Sequence, residues 1–336
     1  MVLAIRVGAA DGFQFRAPIR AGSLYAHSGT LLPGQHVEPG AGYDGQFYFY
    51  LAEDPFLIHG YTTASLDNTF RVRRWLYPAL AFLLSGGHRA VLPYVLVGIN
   101  LFTLSALAWL LALAASRAGQ SPWLALLPIA YAGTWIPILL DLAEPLQLVL
   151  LAAGLLVASS SLLFAAALAK ETAGVVLATE AARAYRERDW PALKRRLAAA
   201  AVYLAWALLV FTLVRGPQFN TLGAHFLDPA GAPFLVLVKS TSNLLTALPA
   251  VFICCAAVVR LAWVRDGAAW AAGGYALLAL GAGYDTWLDP AAFYRVTAGA
   301  VILIYLSWCS RQDVLGLAAM VSAVVAGATA AAAVFG

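Results

Sequence analysis

From residue 89 onward the sequence is a succession of apolar runs too long and too closely spaced to fill a water-soluble core. Ten can be marked, at 90–115, 122–140, 145–158, 160–169, 172–183, 198–214, 242–263, 267–283, 292–308 and 313–335. A helix that crosses a bilayer needs about 20 such residues. Backbone polar groups inside hydrocarbon are satisfied only in helices or closed barrels. Composition agrees: 62% of the 336 residues are hydrophobic and 11% are charged, against about 45–50% and about 25% in soluble domains. The expected fold is an all-α integral membrane protein, with a polytopic bundle of about ten hydrophobic segments at 89–336. A large N-terminal loop region, 1–88, precedes it and carries interfacial helices. The three pieces between 145 and 183 are shorter than a span, and read as short helices that meet inside the membrane, shielded by neighbours.

The composition excludes disorder, collagen and a disulfide scaffold. Cys254, Cys255 and Cys309 lie inside apolar runs and read as small hydrophobes. The formal charge of +4 is scattered among membrane segments, which argues against a nucleic-acid partner. Met1–Ala10 is too short for a spanning helix or a signal-peptide core.

Orientation follows from basic residues at the ends of spans. Arg183, Arg186, Arg188, Lys194, Arg195 and Arg196 form the strongest basic loop, which belongs in the cytoplasm. Alternation then puts Arg117, Arg260, Arg265 and Arg311 inside. It puts the 11–88 loop outside, with Asp141, Glu144, Lys170, Glu171, the 215–240 loop, Asp285 and Asp289. Arg71, Arg73, Arg74 and Arg89 on the outer loop go against the rule, but long loops translocate largely regardless of charge. A chain that begins outside is expected to follow a further helix.

Several residues are candidates for chemistry. Gly40-Ala41-Gly42-Tyr43-Asp44-Gly45 matches G-x-G-x-x-G, but Pro39 precedes it and aromatics follow, so the strand–helix context of a dinucleotide site is missing. Asp44 opens the aromatic segment Gly45-Gln46-Phe47-Tyr48-Phe49-Tyr50. It reads either as a turn residue beside interfacial aromatics or as a carboxylate that accepts a hydroxyl proton. Asp54, before Pro55, reads as a turn element or, with Asp44, as a site for a divalent metal such as Mg or Mn. Arg71, Arg73 and Arg74 precede the short apolar stretch Trp75–Gly86, an interfacial or re-entrant helix. They suit a lipid phosphate or ordinary headgroup anchoring. Asp141, Glu144, Lys170 and Glu171 place charges between closely spaced apolar runs, where charge is costly and usually functional. Lys170 can pair with Glu171, Glu144 or Asp141, or hold a phosphate. Arg295 enters a run near the outer face, to meet a phosphate, to pair with Asp285 or Asp289, or to snorkel to the interface.

The strings Tyr43-Asp44-Gly45-Gln46-Phe47-Tyr48, Asp54-Pro55-Phe56, Arg73-Arg74-Trp75-Leu76-Tyr77-Pro78 and Ala169-Lys170-Glu171-Thr172 together resemble bacterial polytopic glycosyltransferases of the GT-C superfamily. The resemblance covers roughly 40–300. It implies sugar transfer from a polyprenyl-phosphate sugar to a glycan, lipid or protein acceptor, at the outer face of the bacterial cytoplasmic membrane. In that family a first transmembrane helix precedes the acidic loop; none is visible here, and no soluble C-terminal domain follows the last run. By resemblance Asp44 is the general base and Asp54 a helper or metal ligand. Arg73, Arg74, Lys170 and Arg295 stabilise the phosphate leaving group, and Gln46, Tyr48 and Tyr77 hold sugar hydroxyls. Two other readings stand beside it: a transporter or flippase of a lipid-linked or small polar substrate, and a non-catalytic membrane subunit. A transporter is expected to show paired broken helices in two repeated halves.

Overall fold

A computed structural model describes residues 16–26, 31–214 and 241–335. Met1–Ala10, the 215–240 loop and the side chain of Asp285 lie outside the described residues. The chain is all-α and about three quarters helical.

The region before the first long helix is itself folded. Two residues at Ala21–Gly22 (β1) pair in parallel with Val37–Glu38 (β2). Gly45–Glu53 (α1) follows, then Gly60–Ala64 (α2), a 3-10 turn at Thr69–Arg73, and Leu76–Ser85 (α3). Asn68 caps the 3-10 turn by accepting from Phe70 N, and Gly86 ends α3 in the left-handed conformation, at φ 61°. The stretch read as interfacial is thus a ten-residue helix.

Ten apolar runs were expected, and each folds as helix, but with unequal lengths. Leu92–Arg117 (α4), Trp190–Leu213 (α10), Pro290–Arg311 (α14) and Val314–Phe335 (α15) are long and apolar enough to cross a membrane. Leu126–Ile129 (α5), entered through a 3-10 turn at Pro122–Ala125, and Ala132–Leu139 (α6) make a fifth span if counted together, bent by 63°. Pro128 and Pro137 each remove a backbone donor on either side of that break. Glu144–Leu156 (α7), Ser160–Ala169 (α8), Gly174–Arg186 (α9), Thr241–Arg260 (α11) and Gly267–Leu280 (α12) remain, with a short turn at Tyr284–Leu288 (α13). Among the described residues the molecule has four or five candidate spans, fewer than the ten apolar segments, and the pieces of 145–183 are short helices as expected. The reason is local. Glu144-Pro145, Ser159 and Lys170 cut the 145–183 stretch into helices of 10 to 13 residues, which rise only about 15–20 Å each.

These helices run between the same two ends. At one end lie Asp44, Arg74, Glu144, Glu171 and Arg295, joined by hydrogen bonds described below. At the other, Arg196 on α10 donates to Ala158 O and Ser160 Oγ, between α7 and α8. There too Arg260 on α11 pairs with Asp313 before α15 (2.8 Å). Helix α14 is the axis: 83% of its most apolar window is buried, against 17% for α10. Helix α10 presents Leu204, Leu208, Phe211 and Leu213 outward, as a lipid-facing helix does.

A candidate anion-binding and acid–base site

Asp44 is placed by the first turn of α1. Gly45 lies so close to the chain after α6 that a Cβ there would sit 2.3 Å from Leu140 O and 2.9 Å from Pro18 O. Only glycine lets α1 start at that point, directly after Asp44. Two separate stretches then converge on the carboxylate. Arg71, from the 3-10 turn, gives an Nη2–Oδ1 ion pair of 2.9 Å. Arg295, from the first turns of α14, gives Nη2–Oδ2 at 3.1 Å. Arg295 continues through Nε to Glu144 Oε1 (2.7 Å), and Lys170 Nζ donates to the same oxygen (2.6 Å). Arg74 adds a second set beside it: its Nε and Nη2 donate to Glu171 (2.7 and 2.5 Å), a bidentate pair, and Nη1 donates to Tyr48 OH (3.3 Å).

The cluster is closely balanced in charge. Arg71, Arg74, Lys170 and Arg295 face Asp44, Asp67, Glu144 and Glu171. Burial works against the charge on Asp44, but Arg71, Arg295 and Arg74 outweigh it and hold its carboxyl far below the usual carboxylate range. Burial likewise opposes charge on Glu171, and Arg74 holds it down at about 2. The Asp44 side chain keeps 23% of its surface exposed, like Asp67 (24%) and Glu171 (33%), whereas Glu144 keeps only 2%, so a substrate can reach Asp44 but not Glu144.

Beside the cluster runs an apolar groove of about 780 Å³. Phe56, Trp75, Phe164, Leu168, Trp206 and Leu209 line it, between the α1–α2 connection, α8 and the outward-facing α10. Arg73 stands between the lining residues Val72 and Trp75, and its carbonyl accepts from Trp206 Nε1 (3.2 Å). Its Nε is buried without a hydrogen-bond partner, and no described carboxylate pairs with its guanidinium.

Of the residues expected from sequence, Asp44, Tyr48, Arg74, Glu144, Lys170, Glu171 and Arg295 come together, with Arg73 at the groove. The other four do not. Asp54 is buried at the far end of α1, and its carboxylate accepts from Ile58 N (2.8 Å), His59 N (2.7 Å) and Thr62 Oγ1 (3.0 Å). It ties a turn. Ten residues of largely helical chain separate it from Asp44, about 15 Å along the axis, so the two carboxylates do not form one metal site. Two guanidiniums on Asp44 also make that carboxylate a poor fit for a divalent cation, which would be repelled by both. Gln46 spends its amide on the N-terminal loop, accepting from Gly22 N (2.9 Å) and donating to Ala41 O (2.6 Å). Tyr77 and Asp141 turn away from the cluster and bond to each other (3.3 Å) and to Asn100.

For Arg295 the alternatives were a phosphate, a pair with Asp285 or Asp289, or snorkelling to the interface. It reaches Asp289 only through Tyr43, whose hydroxyl accepts from Arg295 Nη1 (3.0 Å) and donates to Asp289 Oδ2 (3.1 Å). Arg71, read with Arg73 and Arg74 as suited to a lipid phosphate or headgroup anchoring, was not expected on Asp44. Its signal was Asp67 four residues earlier, an i, i+4 partner that holds the guanidinium's other side. Asn100 was missed, although an amide within the apolar run 90–115 is conspicuous.

No protein-family model, curated protein or solved structure matches this chain.

Proposed function

We propose that this chain is a membrane glycosyltransferase that moves a sugar from a polyprenyl-phosphate donor to an acceptor hydroxyl, at the outer face of a bacterial cytoplasmic membrane. The observation that carries the reading is the partly exposed Asp44 carboxylate, held between Arg71 and Arg295, beside an apolar groove whose lining residues Val72 and Trp75 flank Arg73 in the chain, a guanidinium that no described carboxylate pairs with. A lipid tail, a phosphate and a reacting hydroxyl each find a matching surface within one end of the bundle. Support for the orientation comes from the opposite end, which gathers Arg183, Arg186, Arg196 and Arg260, as the positive-inside rule expects of a cytoplasmic face.

In this reading the isoprenoid tail occupies the groove and Arg73 receives the phosphate. The acceptor oxygen attacks the anomeric carbon, the bond from that carbon to the phosphate oxygen breaks, and the hydroxyl proton passes to Asp44. The departing phosphate gains negative charge, where fixed guanidiniums help most. Arg71 or Arg295, drawn toward that charge, leaves Asp44 less tightly paired and more basic as it is needed. Lys170 and Glu144 hold Arg295 at the right depth. No step is assigned to a metal ion.

The bent α5–α6 pair is the observation that favours a transporter, since broken helices line many substrate sites. Release of polyprenyl phosphate from polyprenyl-phosphate sugars by the detergent-purified protein separates the two readings. An enzyme gives release that Asp44→Asn abolishes. A transporter gives none with any donor, while folded protein still binds the lipid.

A further inference from the structure

Asp141 is the buried carboxyl that the proposed chemistry does not use. It sits in the turn between α6 and α7 with φ at +55°, a left-handed conformation that Asp and Asn tolerate better than other side-chain-bearing residues. Its exposure is 0%, and no basic side chain among the described residues pairs with it. Its Oδ1 accepts from Tyr77 OH (3.3 Å) and Asn100 Nδ2 (3.4 Å), both long. Tyr77 OH also lies 3.2 Å from Leu96 O, and accepts from Asn100 Nδ2 at 2.9 Å. Two acceptors in this small cluster are buried without a partner: Asp141 Oδ2 and Asn100 Oδ1. The cluster is short of donors, since the one Tyr77 hydroxyl proton is also shared between Leu96 O and Asp141 Oδ1.

We infer that Asp141 is a neutral carboxylic acid in the folded protein, and that its proton completes the Tyr77–Asn100 cluster that fixes the start of α1 beneath Asp44. A charged carboxylate here would have two long hydrogen bonds and no cation, an arrangement that buried charges do not tolerate. A proton on the carboxyl supplies a donor. Burial works in the same direction and pushes the carboxyl up to about 8, with Tyr77 and Asn100 offsetting it only in part. The link to the site is direct. Leu140 O, one residue earlier, is the surface on which Gly45 rests. The Tyr77 ring meets Tyr48 edge-on at 5.4 Å, and Tyr48 OH accepts from Arg74. Asp141 is therefore a positioning residue, acting through α1 rather than on a substrate.

The groups that face it are few. Helix α3 presents Tyr77, α4 presents Asn100, and α1 presents Tyr48 behind Tyr77. Glu144, at the start of α7, is occupied by Lys170 and Arg295. The folded value lies above the roughly 4 of an unfolded chain, so this carboxyl makes the fold less stable as pH rises from about 4 to about 8, and the loss then levels off.

The inference does not depend on the glycosyl-transfer reading, and its test needs no substrate. Infrared spectra of detergent-purified protein carrying carboxyl-¹³C aspartate distinguish protonated Asp from Glu. The expected result is a protonated-aspartate carbonyl band at pH 7 that fades as pH passes about 8 and is missing in Asp141→Asn. That variant keeps a neutral side chain suited to φ +55°, and its thermal midpoint should lack the fall that wild type shows between pH 4 and pH 8. Absence of a protonated-aspartate band from wild type at pH 7 overturns the inference, and that measurement needs no variant to fold. So does a band that survives unchanged in folded Asp141→Asn.

Discussion

Single residues divide into those whose charge is fully answered and those whose charge is not. Glu144 and Lys170 are both buried and share one oxygen with Arg295. Removing one partner of a buried pair strands the other, at a cost of about 3–5 kcal/mol, whereas removing both costs much less. Glu144→Leu should therefore lower the unfolding midpoint in detergent more than Glu144→Leu combined with Lys170→Met, and equal losses would show that the pair is not coupled. Asp44 and Glu171 are held below the value of an unfolded carboxyl by their guanidiniums. Their stabilisation is present above pH about 4 and is lost as pH falls toward 2. Thermal midpoints should drop on acidification from pH 5 to pH 3, and Arg74→Met should remove the Glu171 share of that slope. Residue types and their neighbours made Asp44, Arg74, Lys170 and Arg295 legible in the sequence. Their partners were not: Arg295 and Asp44 are 251 positions apart, and no local pattern announces that contact. Asp54's reading as a turn element was legible because its donors, Ile58, His59 and Thr62, follow within eight residues.

At the scale of elements, the apolar runs located helices because Pro, Gly and charge punctuate them. The short helices of 145–183 were legible, whereas among the described residues 242–263 and 267–283 hold helices shorter than a span. Whether a run spans depends on length, and the breaks at Glu144-Pro145, Ser159 and Lys170 shorten α7 and α8. The same breaks create the site, because they bring Glu144 and Lys170 to one end of the bundle. Close approach then fixes the geometry. Gly133 on α6 sits where a Cβ would be 2.0 Å from Tyr294 O, one residue before Arg295. Gly133→Ala should push α6 from α14, with a stability loss of the size seen for overpacked cores, about 1–3 kcal/mol. Gly45→Ala should act more locally, displacing the start of α1 from Leu140. A Gly45→Ala protein with wild-type thermal stability and undiminished polyprenyl-phosphate release would show that this contact does not position Asp44.

For the whole molecule, the two ends differ in kind. One holds balanced, interlocked acids and bases beside an apolar groove; the other holds an excess of arginine. The basic group at 183–196 was legible in the sequence. The groove was not, because Phe56, Phe164 and Trp206 belong to three distant segments. Single cysteines placed at Arg89 and at Arg188 should report the orientation: a membrane-impermeant thiol reagent added to intact cells should label the first and spare the second. The most direct measurement of the central claim remains the release of polyprenyl phosphate from a panel of polyprenyl-phosphate sugars. It compares wild-type protein with Asp44→Asn, both shown to be folded. The account predicts release by wild type and its loss in Asp44→Asn. Release that persists in Asp44→Asn would remove Asp44 as the base, and no release by folded wild type from any donor would contradict the glycosyltransferase reading itself.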